Sequence, residues 1–345
     1  MLYVGVDIHK KNLQVCVLGE DGKQLGNCKV ANERESVVGY FCNLARPAAV
    51  AMEPTHNWGG LYDLLETMGL EVHVAHPRDV ELIGKCKVST DKTSAYKLAA
   101  LLRAGFLPEA YVSDPEGREL RRLARARASL TRQSTQIKNQ IHALLRENWI
   151  KVPFSDAFGV GGMQFLRDLK LPRSSKLLLD LRLERLVDIH KGIASLDEEI
   201  SRRAFGDRRA VLLMTIKGIA EYSAILILAE IGKIERFGRA ESLVRYAGLN
   251  PTEHSSGERT RRGSLEKAGS RWLRWILVEA VEHTIREEGK IRDLYLRVLE
   301  KKGHNWAIVA AARELLVSIF WMLTRMEPYR PSGKRQLLSQ AGEAR

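Results

Sequence analysis

Short apolar runs alternate with segments of helical spacing over the first hundred residues. "LYVGVDI" and "NLQVCVL" are β-branched strands, and the turn "GEDGK" sends the chain back into "LGNCKVA", which predicts a three-strand antiparallel meander. A helix over Glu33–Leu44, a short buried strand "AAVAMEP", a helix over Gly59–Met68 and a strand "EVHVA" follow. Strands recurring between helices predict an α/β layered sheet.

From Pro115 the pattern changes. "EGRELRRLARARASLTRQSTQIKNQIHALLREN" places Leu120, Leu123, Leu130, Ile137, Ile141 and Leu144 on a heptad-like seam, interrupted at Arg127 and Ser134. A second helix, about Lys176–Ala204, steps by three and four through Leu186, Ile189, Ile193, Leu196 and Ile200, with Gly192 as a weak point beside that seam. Two such helices around a Gly- and Pro-containing hairpin at 151–175 predict an antiparallel coiled-coil arm. A third, mostly helical region ends in "NWAIVAAARELLVSIFWMLTRM", a strongly apolar helix expected in the core. The expected boundaries are 1–112 for the α/β region, 113–207 for the arm, 208–328 for the C-terminal helical region and 329–345 for a flexible tail; no internal repeat is visible.

Composition narrows the partners. With 45% hydrophobic residues the chain of 345 residues can bury a sizeable core. Lys and Arg outnumber Asp and Glu 55 to 42, a net charge of +13, which suits a polyanion such as nucleic acid or an anionic membrane surface. No run long and apolar enough to span a membrane stands out, and "MLYVGVDIHKKN" carries an acid where a signal peptide would not, so a soluble cytoplasmic protein is expected. Cys16, Cys28, Cys42 and Cys86 show no CxxC pairing and read as thiols of that compartment rather than a zinc site.

Three acids fall at telling places. Asp7 closes the first strand, Glu53 ends the fourth, and Asp91 precedes the helix "KTSAYKLAALLRAG". Neighbouring parallel strands bring their C-terminal ends together, so Asp7 and Glu53 can converge, and acids on strand one, strand four and a following helix are the ribonuclease H-like arrangement. Such oxygen clusters hold magnesium ions about 4 Å apart and activate an attack at phosphorus. Sugar kinases and actin-like ATPases also open on a strand–Asp–hairpin, but the phosphate-binding Gly-rich turn and second domain they need are not seen here. Taken singly, each acid could equally be a cap or a surface carboxylate.

Basic residues mark the nucleic-acid candidates. Arg118, Arg121, Arg122, Arg125, Arg127, Arg132 and Arg146 crowd the first arm helix with few acids nearby, a pattern that phosphate would offset. "LLMTIKGIAEYSAILILAEIG" has the form of a helix-hairpin-helix, with Lys217 and Gly218 at a turn whose backbone N–H groups suit a phosphate. In "RYAGLNPTEHSSGERTRRGSLEKAGSRWLR", Ser255, Ser256 and Gly257 stand in an expected flexible loop among Arg259, Arg261, Arg262, Lys267, Arg271 and Arg274. A serine there is either a loop residue in a basic patch or a nucleophile toward a phosphodiester.

In this order "GVDIHK", "AMEPT", "TDKTSAYKLAALLRAG", "GIAEYSAILILAEIG" and the serine segment make the chain, over about 1–325, resemble the insertion sequence 110 family of transposases and the related Piv-type DNA invertases. The resemblance implies a RuvC-like, ribonuclease H-like N-terminal domain with a DEDD acid set, a coiled-coil arm and a C-terminal transposase domain with a catalytic serine. By position the acids are Asp7, Glu53 and Asp91, and the serine is Ser256, with Ser255 the alternative. It further implies Mg2+, donor and target DNA, a structured non-coding bridge RNA that reads sequence by pairing, a covalent serine–DNA intermediate, and dimers assembling to a tetramer near the nucleoid.

One departure stands out. Where the family places a fourth acid, three residues after the third, this chain has Ser94. Residues i and i+3 share a helix face, so position 94 would look at the same site with a neutral hydroxyl, which weakens a second cation position. The expectation is a recombinase with an altered metal requirement. The rivals are a homologue that binds nucleic acid without cutting, or a junction-resolving nuclease acting by hydrolysis.

Overall fold

The computed structural model describes residues 1–330 apart from 56, 78, 81–89, 257–258 and 266–268, and over 251–265 it describes the backbone alone. Cys86, Gly257, Lys267 and 331–345 of the expected tail therefore lie outside the described residues. Two compact units divide between Val112 and Ser113.

In the first unit, β1 (Leu2–Ile8), β2 (Asn12–Leu18), β3 (Gln24–Ala31), β4 (Ala48–Met52) and β5 (Glu71–Val74) form one sheet in the order β3-β2-β1-β4-β5. The first three strands are the expected antiparallel meander, while β4 runs parallel to both β1 and β5. This mixed order is consistent with a ribonuclease H-like domain. Every residue of β4 is buried, which is why "AAVAM" reads as an unbroken apolar run rather than an alternation. Helices α1 (Arg34–Cys42) and α2 (Trp58–Thr67) put Phe41, Leu61 and Leu65 against Val4, Val6 and Val50 on one face of the sheet.

Helix α3 (Asp91–Arg103) covers the other face through Ala95, Leu98 and Ala99. Gly5 sets how near it comes: a Cβ there would stand 1.9 Å from the Ala95 carbonyl oxygen and 2.6 Å from the Ala99 nitrogen. Alternation along β1 puts Asp7 on the same face as Gly5, so this close packing draws the start of α3 toward Asp7.

The second unit is mainly helical. It comprises α4 (Pro115–Glu147), α5 (Val160–Asp168), α6 (Arg173–Gly206), α7 (Arg208–Leu213), α8 (Glu221–Ile231), α9 (Ala240–Tyr246), the hairpin strands β6 (Pro251–Ser256) and β7 (Arg259–Leu265), then α10 (Arg271–Thr284), α11 (Lys290–Lys302) and α12 (His304–Arg325). Cross-links at Arg203–Glu119, Arg127–Asp197, Ser134–His190 and Arg182–Gln140 step in opposite directions along α4 and α6, so the two pack antiparallel. The seam's interruptions are thereby satisfied: Arg127 donates to Asp197 and Ser134 meets His190 at 3.1 Å. Gly192 faces Leu130, whose Cδ1 would lie 3.2 Å from an added Cβ.

At one end of this pair Leu120, Ala124, Ile200 and Ala204 join the core of α7–α12, and at the other Ile137, Ile141, Leu179, Leu183 and Leu186 form a core of their own. That distal core also takes Leu166 of α5, a short helix inside the stretch read as a hairpin. Gly161 and Gly162 lower helix propensity there, and burial of Leu166 overrides it. Helix α12 corrects another expectation: it is apolar and long enough to cross a membrane, with a mean hydropathy of 1.7. Yet it is a core helix, with Ala311, Leu315, Leu316 and Ile319 fully buried among the other helices.

Candidate active site

Three features bring the acids of the first unit together. Val6 and Met52 are partners in the parallel β1–β4 ladder, so Asp7 and Glu53 leave neighbouring strand ends side by side. The Thr55 hydroxyl donates to the Ile8 carbonyl at 3.0 Å, tying the segment after Glu53 to the end of β1. Thr90 caps α3 in a reciprocal box with Thr93, which holds Asp91 in the first turn. Across the sheet Gln14, the ladder partner of Asp7, donates to Asn27, and Asn27 donates to the Lys92 carbonyl beside Asp91.

Asp7, Asp91 and His9 consequently offer ligand atoms that all lie within 4.8 Å of one another. His9 Nε2 is 3.4 Å from an oxygen of each aspartate, and Lys29 Nζ lies 3.9 Å from Asp91. Burial, then the neighbouring Asp91 charge, push the Asp7 carboxyl above its ordinary value, against a lowering influence from His9. Glu53 is pushed up as well, by burial and then by the Asp7 charge, with Lys97 opposing. Ser94 sits one turn along α3, half-buried, where its backbone N–H bonds back to Thr90. His9 is a site residue that the reading of the acids passed over, although it follows Asp7 by two in "GVDIHK"; Lys97, three residues past Ser94, is another.

Hard carboxylate oxygens that repel one another, with one imidazole, are the donor chemistry of a divalent-cation site. Asp7, His9 and Asp91 are the residues whose ligand atoms converge and fit such an ion, and Glu53 is near enough to feel the Asp7 charge.

The serine segment is not a loop in the structure. β6 and β7 pair antiparallel with Ser256 opposite Arg259 and Ser255 opposite Thr260, so Ser256 is the last residue of its strand. The two residues between the strands, Gly-Glu, are a hairpin signal that the loop reading overlooked. Arg259, Arg261 and Arg262 follow on the returning strand. The base of the hairpin is fixed: Leu249 is buried, Ser270 N–H donates to the Tyr246 carbonyl at 2.7 Å, and a Cβ on Gly269 would stand 2.2 Å from that same oxygen.

The arginines of α4 divide. Arg125 bonds Glu230, a carboxylate only 1% exposed, at 2.7 and 2.8 Å, and Arg121 donates to the Ala229 carbonyl. Arg118 donates to the Ser113 carbonyl. Glu230 and Ala229 lie on α8, over a hundred residues away, so Arg125 and Arg121 are opposed by an acid and a carbonyl that spacing along the chain does not show. Arg122 and Arg132 are exposed. At the "GIA" turn, Gly218 has φ +94° and packs so tightly that a Cβ would lie 2.6 Å from the Ala280 carbonyl, while Lys217 pairs with Glu287 at 3.5 Å.

Two family models match this chain. The model for DEDD-type IS110 transposases covers residues 4–150, and that of the IS116/IS110/IS902 transposase family covers 210–296. The chain belongs to the IS110 family of transposases. Relatives span it nearly end to end. The transposase for insertion sequence element IS1111A of Coxiella burnetii is 26% identical over 95% of this chain and 91% of its own length. A "Probable family 20 transposase" of Pseudomonas aeruginosa is 27% identical over 95% and 98%. The transposase for insertion sequence element IS1328 of Yersinia enterocolitica is 21% identical over 93% and 96%. As a transposase the chain acts on DNA, and the DEDD description suits the carboxylates that meet at the end of β1 and the start of α3.

Proposed function

We propose that this transposase cuts and rejoins DNA strands with Ser256 as nucleophile and Asp7, Glu53 and Asp91 as the ligands of Mg2+. The observation that carries the reading is the convergence of Asp7, Asp91 and His9, with Glu53 near enough to feel the Asp7 charge. The ion would neutralise these acids and stabilise charge at the scissile phosphate. The serine Oγ forms a bond to phosphorus as a P–O bond of the backbone breaks, and the released deoxyribose hydroxyl takes up a proton. Rejoining reverses these exchanges with a different hydroxyl. Arg259, Arg261, Arg262 and Lys267 supply positive charge near Ser256 in sequence, and Arg271 continues that supply at the start of α10.

Sequence choice rests with a structured non-coding RNA pairing to donor and target DNA, because phosphate-gripping arginines carry no base code. Arg122 and Arg132 on α4 contribute to holding those strands. Arg118, Arg121, Arg125 and Gly218 also serve the fold, and Lys217 is half exposed at its turn. The working assembly is a dimer pairing into a tetramer, in the cytoplasm beside the nucleoid.

Ser256→Ala abolishes strand exchange and the protein–DNA adduct on denaturing gels while leaving nucleic-acid binding intact. Full recombination by that variant sinks the nucleophile. Turnover without any adduct in the wild type points instead to hydrolysis. Ser94 at the position of the fourth acid favours a second reading, a weakened enzyme that binds more readily than it cuts. Comparing cleavage by the wild type and Ser94→Asp over a Mg2+ series decides between them.

A further inference from the structure

One indole in the second unit carries three guanidinium groups. Trp272 lies on α10, and the Arg125, Arg132 and Arg271 carbons stand 5.7, 5.8 and 5.7 Å from its ring centroid. Among the described residues, Trp306 and Trp321 each meet a single cation, Lys302 and Arg325. Three like charges around one ring repel each other, and the indole face offsets only part of that. Glu230 neutralises Arg125, and its second oxygen accepts from the Ser270 hydroxyl at 2.9 Å. Arg132 and Arg271 are exposed, and among the described residues neither has an acid within ion-pair distance. Trp275, one turn further along α10, is 38% exposed and meets Trp272 edge-on at 6.2 Å.

We propose that Trp272 and Trp275, with Arg132 and Arg271, form a binding site for unpaired single-stranded DNA, its bases on the indoles and its phosphates on the guanidiniums. Charge complementarity selects a polyanion, and the aromatic rings select one whose bases are free to stack. A duplex offers its phosphates and keeps its bases inside, which leaves the indoles without a role. The site is rigid because the buried Glu230 clamps Arg125 of α4 to Ser270, the cap of α10. Ser270 also closes the base of the serine hairpin, so a strand held on Trp272 lies beside the segment proposed to cut it. The inference rests on DNA being the substrate of this transposase and is independent of the serine assignment.

The test is binding of a short fluorescein-labelled oligothymidylate to the full-length protein in EDTA, followed by anisotropy over a salt series. The double variant Arg132→Gln/Arg271→Gln is expected to shrink the slope of log K against log salt by about 1.4, two phosphate contacts at about 0.7 each. Trp272→Leu is expected to bind about 5- to 100-fold more weakly with its slope unchanged. Thermal melting controls for folding, and should Trp272→Leu misfold, the double variant, altered only at exposed positions, decides. An unchanged slope in the double variant overturns the site. So does duplex DNA that binds as tightly as the single strand and responds equally to Trp272→Leu. Oligouridylate binding more tightly than oligothymidylate overturns the assignment to DNA. Ser256→Ala binds like the wild type, and a missing serine adduct in recombination assays leaves these slopes as they are.

Discussion

The two units treat buried carboxylates in opposite ways. Glu230 in the second unit is nearly inaccessible, yet Arg125, the Ser270 hydroxyl and the elements they cap account for both its oxygens. Asp7 and Glu53 in the first unit are half-buried, and although His9 lies beside Asp7 and Lys97 acts on Glu53, burial and the charge of a neighbouring acid push both carboxyls up. A carboxylate that the fold needs is neutralised by the fold. A cluster left in repulsion is held for something outside the chain, and an ion is the simplest partner.

The sharpest break of this contrast is a matched pair. Asp7→Asn is expected to drop DNA cleavage to background while the metal-free protein melts at an equal or higher temperature, because a repelling charge is gone. Glu230→Ala is expected to do the reverse for stability, costing about 2–3 kcal/mol by leaving Arg125 without its acid, a loss softened by that guanidinium's partial exposure. Equal destabilisation by both, read by calorimetry in EDTA, would remove the distinction.

Gly5→Ala comes next. Its Cβ would press on the α3 backbone, so the helix must move off β1, at a cost of about 3 kcal/mol and with Asp91 displaced from Asp7. Divalent-ion stabilisation in thermal melts should vanish with it, while the second unit's transition stays put.

Ser94→Asp tests the departure from the family pattern. Restoring an acid should lower the Mg2+ concentration for half-maximal cleavage several-fold and slightly lower metal-free stability, since it adds another like charge to the cluster. A metal curve that does not move places residue 94 outside the ion's reach.

The smallest effect is on pH. Asp7 and Glu53 ordinarily titrate at 3.8 and 4.5, and both are raised in the folded protein. Between those ordinary values and the raised ones the folded state holds more protons than the unfolded, so metal-free stability falls as pH climbs from 3.8 for Asp7 and from 4.5 for Glu53. The penalty is complete above the raised values and absent below the ordinary ones. Mg2+ should oppose this loss most at neutral pH, and Asp7→Asn should flatten the slope.

The strands of the first unit, the two long helices and the three acids are legible in the sequence because each follows from local periodicity or from the residue that ends a strand. His9 was legible too, two residues past Asp7, but its role depends on α3 arriving within reach. The hairpin around Ser256 was hidden by polar residues that resemble a loop, although the Gly-Glu pair signals a turn. Helix α5 was hidden by its glycines, whereas the core position of α12 was legible from its apolar run.

By itself the sequence determined the elements, the order of the acids and the basic excess, since these depend on side-chain chemistry at fixed spacing along the chain. Tertiary structure alone decided which charges meet. Arg125 finds Glu230 from a distance of 105 residues, and Asp91 nears Asp7 because Gly5 leaves room for α3. Electrostatic pairing falls off with distance in space, and only packing turns distance along the chain into distance in space.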